Sequence, residues 1–169
     1  GMIVMDDHTC MVDVAKYFIK FLTEESCGKC TPCREGLLQL HHILNEICEG
    51  RGKNGDLEKI KALSQGIIAG SLCALGKSAP NPVLSTIHYF EDEYRTHIEN
   101  RKCPAGVCRE LTTYVISSEA CTGCMLCAKI CPVEAISGTK KKPHTIDQKK
   151  CTQCGACRTV CKFDAVLTE

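Results

Sequence analysis

The chain has no apolar run long enough to cross a membrane, since nothing approaches the ~18 consecutive apolar residues that a spanning helix needs. It has no charge excess either. Its 21 Lys and Arg stand against 20 Asp and Glu, a formal +1 that excludes a strongly basic nucleic-acid binder. With 24% charged and 44% hydrophobic residues it is no disordered polyelectrolyte. The opening Gly1-Met2-Ile3-Val4-Met5-Asp6-Asp7 lacks the basic start, apolar stretch and small-residue cleavage site of a secretory signal. The G-x-G-x-x-G loop of dinucleotide-binding domains is missing. No nucleophile, paired-carboxylate or phosphate-loop constellation stands out, so no catalytic residue is expected. A cytoplasmic setting is the expectation.

What the chain has in abundance is cysteine, sixteen in 169 residues. So dense a set belongs to a disulfide scaffold or to a metal protein. Without a secretory route, a reducing cytosol disfavours disulfides, which leaves metal. The spacing then divides the chain. Cys121, Cys124, Cys127 and Cys131 recur 30 residues later as Cys151, Cys154, Cys157 and Cys161. Val133-Glu134-Ala135-Ile136 after the first set is echoed by Phe163-Asp164-Ala165-Val166 after the second. Residues 112–169 are therefore two copies of one small unit.

The first hundred residues carry helical periodicity instead, broken by Gly and Pro. Met11, Val14, Phe18 and Leu22 form one stripe. A second helix opens at Pro32, buries Leu37, Leu40, Leu44 and Ile47, and stops near Gly50. A third follows Asp56 as N-cap, packs Leu57, Ile60, Leu63 and Ile67, and ends at Gly70. The fourth starts at Asn81-Pro82 with the stripe Val83, Ile87, Phe90, Tyr94 and then His97 or Ile98. The fold class expected is α plus small α+β: an antiparallel four-helix bundle over residues 1–101, a cysteine-containing hinge over 102–111, and the repeat domain over 112–169.

A cubane of four irons and four sulfides needs one thiolate per iron. The triple Cys-x-x-Cys-x-x-Cys run of each copy wraps three corners, and the fourth cysteine of each run ligates the other cluster. The expected sets are Cys121, Cys124, Cys127 with Cys161, and Cys151, Cys154, Cys157 with Cys131. Pro132 completes the motif after the first set, whereas Lys162 replaces it after the second. Two zinc ribbons would want paired knuckles rather than triple runs. This part resembles the bacterial-type ferredoxin with two four-iron clusters, which implies a strand, turn and short helix per copy, with strands at Thr113 to Ile116 and around Thr145-Ile146. Lys140, Lys141 and Lys142 read as a solvated loop, or more sharply as a docking patch for an acidic partner.

Another triple run, Cys27-Gly28-Lys29-Cys30-Thr31-Pro32-Cys33, has no fourth cysteine nearby. Cys73, at the end of the third helix, is the candidate fourth ligand of a further cluster, and Cys33 falls in a helical first turn whose free amides favour an anionic group. Residues 1 to about 110 resemble the C-terminal cluster domain of the flavin-containing, NAD(P)H-oxidising subunit of respiratory NADH dehydrogenase and its soluble relatives. The resemblance rests on Glu25-Ser26-Cys27-Gly28-Lys29-Cys30-Thr31-Pro32-Cys33-Arg34, with Cys73 where the family's fourth ligand falls. With the appended dicluster ferredoxin, the chain is similar to the flavin subunit of NAD(P)-linked, often electron-bifurcating [FeFe]-hydrogenases and related formate dehydrogenases.

The resemblance implies a relay of three [4Fe-4S] clusters between a flavin/NAD(P) site and a partner subunit or soluble ferredoxin. FMN and NAD(P) are expected only in a missing N-terminal part. The partners implied are that flavin domain, a hydrogenase or dehydrogenase catalytic subunit and a small iron–sulfur subunit. Three dianionic clusters would take the formal charge from +1 to about −5, so a basic docking surface is expected on the redox partner.

Cys10, Cys48, Cys103 and Cys108 remain. Cys103, Cys108 and His97 make a zinc half-site, for which Cys10 is the closing ligand, while Cys48 reads as a buried free thiol. A bundle-core histidine beside plain thiols is the plainer reading. His8, His41, His42, His88 and His144 have no partner spacing. Two rival functions differ in class: a free-standing polyferredoxin, and a zinc-stabilised interaction domain fused to a dicluster ferredoxin. The second predicts about eight irons instead of about twelve.

Overall fold

The computed structural model describes residues 3–168; Gly1, Met2 and Glu169, the ends of the expected domains, lie outside the described residues. The chain divides into two compact units, residues 1–111 and 112–169. The first is helical: α1 (Met11–Glu24), α2 (Thr31–Cys48), α3 (Asp56–Gly70), the short α4 (Ala74–Ser78) and α5 (Asn81–Arg95), which runs on into a π-helical turn, Thr96–Asn100. Helix α1 packs on α2 and α5, α2 on α3, and α3 on α4. None of the described helices is long and apolar enough to cross a membrane.

Each start and stop has a local cause. Cys10 caps α1, its Sγ accepting the Asp13 N–H at 3.4 Å. Pro32 sits in the first turn of α2, where a missing N–H costs nothing. Gly55, at φ 93°, is the N-cap of α3 in place of the expected Asp56. The chain enters that helix through the left-handed region, which glycine takes without a Cβ penalty. Asp56 becomes the first helical residue, and its carboxylate accepts the Lys53 N–H at 2.8 Å and the Lys59 ammonium at 2.9 Å. Helix α4 lies outside the expected four because five residues are too few to show a periodicity.

The core of this unit gathers Leu37, Leu40, Leu44 and Ile47 of α2 as expected, with Ile60 and Ile67 of α3. Two stripes differ from expectation. Helix α1 buries Val12, Ala15 and Ile19, one position beside the expected Met11, Val14, Phe18 and Leu22, which are half-buried at its edges. The helix meets α2 on one side and α5 on the other, so its buried face centres on small Ala15 rather than on the larger side chains. In α5, Phe90 takes non-helical angles (φ −132°, ψ 34°), and the kink turns it to solvent instead of continuing the stripe. Beyond it the π turn widens the helix, so that His97 and Ile98 are both buried rather than one of them. Residues 102–111 pack into this unit as well. Cys103, Ala105, Cys108 and Leu111 join its core, since four apolar side chains in ten residues gain more by burial than by solvation in a free linker.

The second unit holds two antiparallel ribbons. Strand β1 (Tyr114–Ile116) pairs with β4 (Val166–Thr168), Tyr114 opposite Thr168, and β2 (Ile136–Ser137) pairs with β3 (Thr145–Ile146). Short helices α6 (Leu126–Ile130) and α7 (Ala156–Thr159) follow the first cysteines of each copy. The 30-residue repeat reaches the backbone dihedrals. Left-handed residues recur as Gly123 and Gln153 (φ 69° and 50°), Met125 and Gly155 (69° and 74°), and Glu134 and Asp164 (49° and 46°). The buried core is small, Tyr114, Cys127, Ile136, Cys157 and Val166.

Two glycines make opposite predictions. A Cβ at Gly36 of α2 would lie 2.4 Å from buried Ile67 Cγ1 of α3, whereas one at Gly66 would meet nothing within 4 Å. Gly36→Val should cost about 1–3 kcal/mol by overpacking, and Gly66→Ala should gain about 0.5–1 kcal/mol by helix propensity. Denaturant midpoints of the intact protein check both.

Candidate metal centres

In the first unit Cys27, Cys30, Cys33 and Cys73 line one cavity of about 80 Å³, together with Glu25, Ser26, Ser71 and Leu75. The loop before α2 is closed by the Arg34 guanidinium donating to the Gly28 carbonyl, with Gly28 at φ 73°. Cys33 is buried in the first turn of α2 and Ser26 Oγ lies 3.4 Å from its Sγ. Cys73 is exposed, and the backbone N–H groups of Gly76 and Leu75 at the start of α4 hold its thiol below the ordinary value. Such amides favour a thiolate, the form that binds metal. Four sulfurs converging on one hollow, one of them acidified by backbone amides, fit an anionic thiolate cluster.

In the second unit the cysteines are shared out crosswise. One cavity of about 20 Å³ is lined by Cys121, Cys124 and Cys127 with Cys161, and its counterpart, also about 20 Å³, by Cys151, Cys154 and Cys157 with Cys131. Backbone N–H groups donate to two of these sulfurs, Ala135 to Cys131 at 3.3 Å and Gln153 to Cys151 at 3.4 Å. Burial pushes the Cys127 and Cys157 thiols up, equally placed in the two copies.

His144, which has no partner spacing in the sequence, lies fully buried in the wall of the first of these cavities. Its Nδ1 is 3.9 Å from Cys121 Sγ and its Nε2 3.0 Å from Met125 Sδ. The repeat register would have found it, because 30 residues earlier stands Tyr114, which lines the other cavity. The two pairs trade volume. Tyr114 needs glycine at 155, where a Cβ would sit 2.9 Å from its hydroxyl, whereas the smaller His144 is filled out by Met125 at the equivalent place. The Lys140 to Lys142 loop is exposed, and the Lys141 N–H donates to the Gly123 carbonyl at 3.2 Å.

A third kind of arrangement joins Cys10, His97, Cys103 and Cys108, all buried, with one ligand atom of each within 4.8 Å of the others. Cys10 Sγ is 3.6 Å from Cys108 Sγ and 3.3 Å from His97 Nε2, and Cys108 Sγ is 3.5 Å from that nitrogen. Tetrahedral zinc with Zn–S near 2.3 Å and Zn–N near 2.0–2.1 Å sets edges of about 3.8 Å between sulfurs and about 3.5 Å from sulfur to nitrogen, which these distances approach. His97 Nδ1 is 2.8 Å from the Glu93 carbonyl, and a proton on Nδ1 leaves Nε2 free for a metal. Hydrogen bonds from the Cys10 and Cys108 thiols drive the Cys103 thiol down, the contact with Cys103 drives Cys10 up, and hydrogen bonds with Cys10 and Cys103 drive Cys108 up. Cys48 is a buried free thiol as expected, and its hydrogen bond with Cys108 holds it below the ordinary value.

Comparison with known proteins places both units. Residues 13–97 match the family described as the NADH-ubiquinone oxidoreductase-F iron-sulfur binding region, and residues 120–165 match the 4Fe-4S dicluster domain. The NADP-reducing hydrogenase subunit HndC of Solidesulfovibrio fructosivorans is 53% identical over all 169 residues of this chain, which cover 34% of that protein. The mitochondrial NADH dehydrogenase flavoprotein 1 of Dictyostelium discoideum is 36% identical over 99 residues, 59% of this chain and 21% of that protein. A crystal structure of NAD+-reducing [NiFe]-hydrogenase in the H2-reduced state matches with a TM-score of 0.54 and 31% identity, over 57% of this chain and 17% of that one. The chain thus spans about a third or less of these relatives' length.

Fold and cysteine sets together define an iron–sulfur electron-transfer module. The chain belongs to the NADH-ubiquinone oxidoreductase-F iron-sulfur binding family, extended by a 4Fe-4S dicluster unit.

His144→Ala would open a void beside Cys121 in the small second core. The variant should lose about 2–4 kcal/mol, and its visible iron–sulfur absorbance should bleach several-fold faster in air than that of the unaltered protein.

Proposed function

We propose that this chain relays electrons through three [4Fe-4S] clusters between a flavin/NAD(P) site and a partner, as part of an NAD(P)-linked hydrogenase-type oxidoreductase. The carrying observation is the set of three cavities, each lined by four cysteines and each within, or ligated from, a unit whose family is iron–sulfur. On this reading the long helices form a bundle whose Cys27, Cys30, Cys33 and Cys73 hold one cluster. Cys121, Cys124, Cys127 and Cys161 hold a second, and Cys151, Cys154, Cys157 and Cys131 a third. A cluster at each place supplies one-electron exchange without proton chemistry of its own. The protein's part is to set potential through burial, N–H···S bonds and neighbouring charge.

Cys10, His97, Cys103 and Cys108 hold a structural zinc, closed to substrate by its four protein ligands. That metal ties Cys10, ahead of α1, and the Cys103 to Cys108 segment to the π turn after α5. The partners are the flavin/NAD(P)-binding domain of a longer subunit, the catalytic and small iron–sulfur subunits of a hydrogenase or dehydrogenase, and a soluble ferredoxin, in the cytoplasm. Identity with HndC over the whole chain favours NADP-linked hydrogen chemistry for the assembly.

Iron, acid-labile sulfide and zinc counted on protein purified without oxygen test this directly. About twelve irons and one zinc per chain are expected. About eight irons would instead favour the zinc-stabilised interaction domain, and a chain without zinc would remove the fourth metal. His97→Ala should lose the zinc, keep the irons and unfold at lower temperature, because structural metal contributes folding energy.

The crosswise ligation has its own signature. Cys121→Ser with Cys161→Ser should empty one cavity and leave about eight irons, whereas Cys121→Ser with Cys131→Ser should empty two and leave about four. The reverse pattern would mean that each run keeps its own fourth cysteine.

A further inference from the structure

Among the described residues two buried side-chain oxygens have no hydrogen-bond partner, Ser64 Oγ and Ser71 Oγ. A buried hydroxyl without a partner is rare in a folded protein and marks a place where one is missing. Ser64 is buried within α3 and does not line the cavity of the four cysteines. Ser71 is in another position. It lines the cavity of about 80 Å³ with Cys27, Cys30, Cys33 and Cys73.

The backbone holds Ser71 there. It follows α3 in extended conformation (φ −91°, ψ 140°), and its own N–H is spent on the Ile67 carbonyl at 3.1 Å. The side chain rests against α4, where a Cβ at Gly76 would lie 2.4 Å from Ser71 Oγ and 3.4 Å from Cys33 Cβ. Gly76 therefore leaves the room that Ser71 occupies beside Cys33. The other hydroxyl of the cavity is already engaged, since Ser26 Oγ accepts the Gly28 N–H at 3.3 Å and meets Cys33 Sγ at 3.4 Å. Beside Glu25 and Ser26, the side-chain acceptors lining the cavity are the four cysteine sulfurs.

We infer that the Ser71 hydroxyl donates its hydrogen bond to a sulfur of the iron–sulfur cluster held by Cys27, Cys30, Cys33 and Cys73, and that it thereby raises that cluster's reduction potential. This rests on the reading that those cysteines hold a cluster. Reduction adds negative charge to the sulfurs, so a donor stabilises the reduced form more than the oxidised one. Ser71 acts through the sulfur and is a positioning residue, not a ligand.

The test is a potentiometric titration of the intact, anaerobically purified protein, followed by electron paramagnetic resonance. Ser71→Ala should shift the cluster's midpoint to more negative potential by about a tenfold change in the one-electron equilibrium, ~59 mV. Ser71→Thr, which keeps the hydroxyl, should restore it, and an exchangeable proton coupled to the reduced cluster should vanish in Ser71→Ala alone. An unchanged midpoint in Ser71→Ala at full iron content overturns the proposal while leaving the cluster in place. An unaltered protein with only about eight irons overturns this proposal and the cluster reading together. If Ser71→Ala sheds its iron, Ser71→Thr and Ser71→Cys decide. A lower midpoint for the weaker thiol donor supports the role, and equal midpoints for Ser, Thr and Cys overturn it.

Discussion

The convergence of cysteine sulfurs on shared hollows is the constraint on which the rest of the structure depends. The second unit shows why, since among its described residues the central hydrophobic cluster has five buried members and two of them, Cys127 and Cys157, are themselves prospective ligands. A domain of fewer than about 60 residues buries too little apolar surface to be secure without a staple. Strands of two or three residues add little. On the proposed reading metal binding and folding are coupled, and the turns, left-handed residues and N–H···S bonds serve to present sulfur at fixed places.

The first unit solves the same problem with more material. Its helices bury a core that takes in Cys10, Cys33, Cys48, Cys103 and Cys108, while Cys27 and Cys73 stay exposed. Cys27, Cys30 and Cys33 are delivered by the start of α2, Cys73 by the start of α4, and Cys10 by the start of α1. Helix beginnings carry unpaired amides, which is where an anionic sulfur is least costly to place. His97 comes instead from a helix end, and the π turn there lets an imidazole and an isoleucine enter the core side by side.

Cysteine spacing and helix punctuation are legible because both are local: a Cys-x-x-Cys run or a Pro32 needs no knowledge of the rest of the chain. The faces of helices are less so. On α1 the larger side chains point to a stripe one position away from Val12, Ala15 and Ile19, because the neighbours on both sides, not the helix itself, select the buried face. Phe90 fits the α5 periodicity, yet a kink that no single residue announces turns it outward. His144 is hidden by its unlike partner Tyr114, since the repeat keeps position while exchanging ring size. Ser71 carries no motif at all, and only its burial without a hydrogen bond singles it out.

The crosswise sharing of cysteines between the two copies bears on how such a unit can be cut or built. Each cavity takes three sulfurs from one copy and one from the other. A chain broken between residues 131 and 151 therefore yields halves that each lack a corner of their own site. On the proposed ligation the duplicated unit works only whole, although its sequence reads as two pieces.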